Sequence, residues 1–127
     1  MKLRIRDNSI RLRLTQTEVD TVSTEGLVKA RVSMPGGSSL DYVLESSAAT
    51  VKPTARFSDG ALTVHLPESD VRHWASTEQV SIAADEILDD GDLLKILVEK
   101  DFACLAPREG EDETDMYPHP EADDGGC

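Results

Sequence analysis

Apolar and charged residues alternate from the start of the chain. Leu3 and Ile5 are interleaved with Lys2, Arg4 and Arg6, and Ile10, Leu12 and Leu14 with Arg11 and Arg13. A period of two marks strands with one buried and one polar face. Asp7-Asn8 between the two runs predicts a tight hairpin turn. The period then lengthens. Thr15-Gln-Thr-Glu18 has the spacing of a capping box, Val19 and Val22 follow at helical spacing, and Gly26 is suited to end the helix. Alternation resumes at Val28, Ala30 and Val32, and Gly36-Gly37 reads as a hairpin turn into the next strand.

The same order of elements recurs further on. Arg4–Val22 lies over Arg56–Trp74 at a constant offset of 52, so that Ile10, Leu12 and Leu14 match Leu62, Val64 and Leu66, and Asp7-Asn8 matches Asp59-Gly60. Pro67 stands where a second short helix begins, with Val71, Trp74 and Ala75 at i, i+3 and i+4. The closing hairpin of the second copy has a turn two residues longer, around Asp89-Asp90-Gly91-Asp92. Pro53 and the small residues 46–50 mark the join. The expected fold is α+β: two pseudo-symmetric ββαββ repeats, about residues 1–47 and 54–104, forming a mainly antiparallel sheet or barrel with two short helices on its apolar face.

Composition adds a boundary to this picture. A chain of 127 residues is expected to form one core. The net charge is −12, yet 8 of the 25 acids lie beyond Arg108, leaving residues 1–108 with 13 basic and 17 acidic groups. Residues 109–127 therefore read as an acidic C-terminal tail on a nearly balanced single domain. An acidic chain repels phosphodiester backbones, which argues against DNA as a partner. No apolar run approaches the roughly 20 residues of a membrane span, and the charged start lacks the apolar core of a secretory signal. A cytoplasmic protein without membrane contact is the expectation, and two cysteines in that compartment point to thiols or ligands before a disulfide.

Alternation also sorts the charges. With the apolar positions inward, Lys2, Arg4, Arg6, Arg11, Arg13, Lys29 and Arg31 all fall on the opposite face of the first copy. The corresponding face of the second copy carries Arg56, Thr63, His65, Ser81, Ala83, Lys95, Leu97 and Glu99 and is far less basic. Like charges opposite one another on paired strands destabilise, so this concentration calls for counter-charges. They can come from body carboxylates such as Asp41 and Glu45, from the acidic tail, or from an anionic ligand. A solvated face whose Lys and Arg discourage aggregation is the plain alternative.

Two resemblances attach to these residues. A doubled ββαββ unit with a charged sheet face resembles the triphosphate-tunnel (CYTH) proteins. That likeness implies a barrel whose Arg, Lys and Glu hold a polyphosphate and a divalent metal. The first strand departs from that family, reading Lys2-Leu3-Arg4-Ile5-Arg6 where such enzymes open with Glu-x-Glu-x-Lys. More extensively, through MKLRIRDNSIRLRLTQTEV and ILVEKDFACLAPREGEDETDMYPHP, the chain resembles a family of small bacterial proteins with no assigned function. This resemblance implies a bacterial source and no particular activity.

Few residues carry chemistry of their own. His65, His73 and His119 are scattered, without a triad or HExxH pattern, and Cys104 closes an apolar strand where a packed thiol is expected. Cys104, His119 and Cys127 form a soft-donor set that suits zinc or copper, although spacings of 15 and 8 residues match no known finger. The residues favour a non-catalytic binding or accessory protein over an enzyme. Its basic sheet face would take an acidic protein, a phosphorylated small molecule or its own tail. A degenerate tunnel-type phosphohydrolase and a metal-binding protein are the alternatives.

Overall fold

The elements follow the hydrophobic pattern closely in the computed structural model, which describes residues 1–102 and 115–117. They are β1 (Lys2–Arg6), β2 (Ser9–Leu14), α1 (Gln16–Glu25), β3 (Leu27–Ser33), β4 (Ser39–Ser47), β5 (Thr54–Ser58), β6 (Ala61–Pro67), α2 (Glu68–Ser76), β7 (Ser81–Ile87) and β8 (Leu93–Lys100). Helix α1 starts on the expected capping box: the Thr15 hydroxyl accepts from the Glu18 amide, and the Glu18 carboxylate accepts from the Thr15 amide. Gly26 ends it at φ 80°, where a side chain would be strained. Met1 locks the same corner, its terminal ammonium pairing with Glu18.

The strands do not form one antiparallel sheet, nor do they close into a barrel. They make two four-stranded mixed sheets, ordered β1-β2-β8-β7 and β3-β4-β6-β5. Each sheet joins an antiparallel hairpin from the first half of the chain to one from the second half, through a central parallel pair, β2 with β8 and β4 with β6. Hairpins are local and their turns are written in the sequence; the parallel contacts are long-range and leave no mark on the alternation.

The four central strands supply most of the core. Leu12 and Leu14 (β2), Leu44 (β4), Val64 and Leu66 (β6) and Val98 (β8) are all but fully buried, against Val19 and Val22 of α1 and Val71 and Trp74 of α2. Each such side chain contributes about 1.5–3 kcal/mol by leaving water. The indole N–H of the fully buried Trp74 donates to the Val80 carbonyl at 2.9 Å, so the largest core residue leaves no polar atom unmet. Within the second segment, Asp115 caps the start of α1: its carbonyl accepts from the Gln16 amide at 3.0 Å and its carboxylate from the Thr17 hydroxyl at 2.9 Å. Met116 is buried, and Tyr117 bridges to Phe102 and stacks at a tilt on its ring. Burial raises the Tyr117 hydroxyl pKa above its ordinary value, helped by Asp20 and Asp115. Burial also lowers that of Lys100, whose ammonium donates to the Thr77 carbonyl.

Candidate functional site

The outer face of the β1-β2-β8-β7 sheet is a grid set by register. One row across the strands reads Lys2, Arg13, Glu99, Ser81; the next Arg4, Arg11, Leu97, Ala83; the third Arg6, Ser9, Lys95, Asp85. Five of the seven cations expected on one face are here. Lys29 and Arg31 are not: β3 belongs to the other sheet, so both lie on a separate surface.

Carboxylates of the body satisfy most of this charge. Glu99 accepts from Arg11 at 2.6 Å and from Arg13 at 2.7 Å through a single oxygen. Lys2 pairs with Asp101 at 3.3 Å. On the other sheet, Asp41 takes both Lys29 and Arg31, the latter as a two-pronged contact of 2.8 and 3.2 Å. The hydrogen bond from Arg31 is the largest of the effects that hold the Asp41 carboxyl below its ordinary range. Charge-assisted forks of this kind fix both partners. Among the described residues, Arg4 and Arg6 make no ion pair, and neither does Lys95.

These three cations line one depression. A groove of about 550 Å³ runs over the sheet between Arg4, Arg6 and Arg11 on one side and Ala83 and Asp85 on the other, with Lys95 and Leu97 between. The groove exists because the side chains in the middle of the grid are short or apolar: Ser9, Leu97 and Ala83 leave room that the long rim residues surround. Arg6, Ser9 and Lys95 also line a smaller depression next to the Asp7-Asn8 turn, so the cationic end is open on two sides. Alternate residues on a strand project to the same face about 7 Å apart, which places two guanidinium stems on β1 side by side. Guanidinium groups so displayed bind phosphate or carboxylate through paired N–H donors.

From sequence alone Lys95, Leu97 and Glu99 belong to the polar face of the second copy, apart from the arginines. The parallel pairing of β2 with β8 sets them beside Arg11 and Arg13. Asp85 is absent from the sequence reading, though its alternation with Ala83 places it on the same face. His65 sits on the other sheet, its Nδ1 3.1 Å from a Glu45 carboxylate oxygen. Cys104, His119 and Cys127, the soft-donor set, lie outside the described residues, as do residues 109–114 and 118–127 of the acidic tail. Among the described residues no three His, Cys, Asp or Glu side chains come together as a metal site. Among them, too, no helix is long and apolar enough to cross a membrane.

A protein-family model described as a family of unknown function (DUF7009) matches residues 1–121. No curated protein and no solved structure matches the chain.

Proposed function

As the chain belongs to this family of unknown function, we propose its role from the groove: a non-catalytic binding protein that holds an anionic ligand at Arg4, Arg6 and Lys95. The observation that carries this reading is the selective neutralisation of the surface. On the outer face of the β1-β2-β8-β7 sheet, Lys2, Arg11 and Arg13 each have a carboxylate partner, while Arg4, Arg6 and Lys95, which have none among the described residues, line a single groove. A face built only to resist aggregation has no reason to gather its free cations around a cavity. The same groove accommodates an acidic side chain of a partner protein, but its volume of about 550 Å³ and its paired arginines favour a small ligand.

Two related inferences support the assignment. We infer that the halves of the chain are copies, because their registers repeat: Lys2 opposite Arg13 is matched by Thr54 opposite His65 at an offset of 52, and Leu27 opposite Glu45 by Ser81 opposite Glu99 at an offset of 54, the two extra residues falling between α2 and β7 and not, as expected, in the closing turn, since 34–38 and 88–92 are equal in length. At the position equivalent to the groove, the other sheet carries Val43 and Lys29 where this one has Leu97 and Ala83, and Asp41 in place of Lys95. The groove sheet thus keeps Arg4 and Arg6 beside an apolar floor, whereas on the other sheet Lys29 and Arg31 converge on Asp41 at the equivalent position. The tunnel-type alternative calls for carboxylates converging with the arginines inside a closed barrel, and the two sheets here remain separate.

Calorimetric titration with inorganic phosphate at low salt tests the proposal. Binding should be lost about tenfold or more in Arg4→Ala, Arg6→Ala and Lys95→Ala, since each removes a charged donor worth roughly 1.5–3 kcal/mol. It should be unaltered in Arg31→Ala, whose guanidinium already serves Asp41. Equal affinity in all four variants would remove the groove from consideration.

A further inference from the structure

The chemistry around the groove is not uniform, and its asymmetry narrows the ligand. Arg4 and Arg6 stand at one end, on the edge strand β1, and Lys95 lies two strands in, next to the far edge. The floor beyond the two arginines includes Leu97 and Ala83, an apolar surface in the middle of the outer face. At the far edge stands Asp85, opposite Lys95 in register but without an ion pair to it among the described residues. An anion that runs the length of the groove meets this carboxylate. A bare polyphosphate or a run of acidic residues is therefore favoured at one end and repelled at the other.

We propose that the groove is built for an organic phosphate monoester, with the phosphate held by Arg4, Arg6 and Lys95 and an uncharged apolar body lying on Leu97 and Ala83. This rests on the anion-binding reading above and specifies its ligand. The volume supports it: about 550 Å³ lies within the range of small-molecule sites and exceeds what a phosphate ion needs. Apolar surface beside a cationic cluster adds affinity only when the ligand brings apolar area to it. Asp85 then acts as a selectivity residue, excluding ligands with a second negative charge while leaving a neutral or donor-bearing end in place.

The test is a set of probes titrated into the full chain at fixed low salt: inorganic phosphate, phenyl phosphate and tripolyphosphate. Phenyl phosphate should bind roughly five- to tenfold more tightly than inorganic phosphate, the gain expected from covering one face of a ring. Tripolyphosphate should gain less than its extra charge predicts, and Asp85→Asn should strengthen tripolyphosphate by a larger factor than it strengthens phenyl phosphate. Leu97→Asn should abolish the preference for phenyl phosphate without altering inorganic phosphate. Ala83→Gln, a neutral polar change at an exposed position, should do the same if the Leu97 variant folds poorly. Phosphate that binds with phenyl phosphate no tighter, or tripolyphosphate that binds tightest with Asp85→Asn making no difference, overturns the monoester assignment and leaves the anion site standing. No binding of any probe overturns both.

Discussion

Glu99 holds Arg11 and Arg13 through one oxygen, and neutralising it should have two effects of opposite sign. The glutamate side chain is 12% exposed and the two arginines about a third exposed, so all three are partly shielded from water. In Glu99→Gln the amide oxygen still accepts one hydrogen bond, but two adjacent guanidinium groups lose their counter-charge. Exposed pairs are worth about 0.2–1 kcal/mol and charge-assisted bonds with partial burial about 1.5–3 kcal/mol, so a loss of about 2 kcal/mol in stability is expected. For a domain of this size that lowers Tm by about 5–10 °C. The same change releases Arg11 on the rim of the groove. One further positive charge about 7 Å from a bound anion is worth about 0.6 kcal/mol in water and about 2.4 kcal/mol at an effective dielectric of 20. The affinity for phosphate should therefore rise by about threefold to about fiftyfold at low salt, and the gain should shrink as salt is added. Thermal melting and calorimetric titration of one preparation measure both quantities. A variant that melts lower and also binds phosphate more weakly would refute the reasoning, because Glu99 would then be positioning Arg11 for the ligand rather than withholding it.

Trp74→Phe should cost about 2–3 kcal/mol in denaturant unfolding, through a cavity and the loss of the indole hydrogen bond to the Val80 carbonyl, and the wild-type indole should emit at the blue wavelengths of a dry environment; a solvent-like emission maximum would contradict its complete burial. The paired Asp41 predicts a pH dependence of defined sign. Its carboxyl is held low when folded, so its contribution is present above the ordinary aspartate value of about 3.9 and is lost as pH falls below that towards the folded value. Asp41→Asn should flatten the acid limb of the stability curve in that window, and an unchanged limb would show that the contact with Arg31 is not maintained in solution.

Much of the local structure was legible in the sequence. The capping box at Thr15, the helix stop at Gly26, the second helix after Pro67 and the burial of Leu12, Leu14, Val64 and Trp74 follow from spacing alone. These features are local, and a few residues of the chain contain all their determinants. The pairing of strands was not legible. Nothing in Ile10-Arg11-Leu12 names Ile96-Leu97-Val98 as its parallel neighbour, since both present the same alternation to any partner. The site inherited that limit. Its arginines were visible, whereas Lys95 and Glu99 entered only once β8 was set beside β2, and Lys29 and Arg31 left when β3 joined the other sheet.

The exchange of hairpins between the two sheets governs how the chain must assemble. Each hairpin closes over a short turn and can form early, but neither sheet exists until a hairpin from one half meets its counterpart from the other, as when Ser9 takes its place beside Lys95. Loop-closure entropy therefore falls due before the central parallel contacts return any stabilisation, and folding should be slow for a domain of this length. Cutting the chain between β4 and β5 would leave each half with two bare strand edges and no core of its own. The fragments should then be unstructured apart, and should recover the fold only when mixed, because each supplies the missing central strand for both of the other's hairpins.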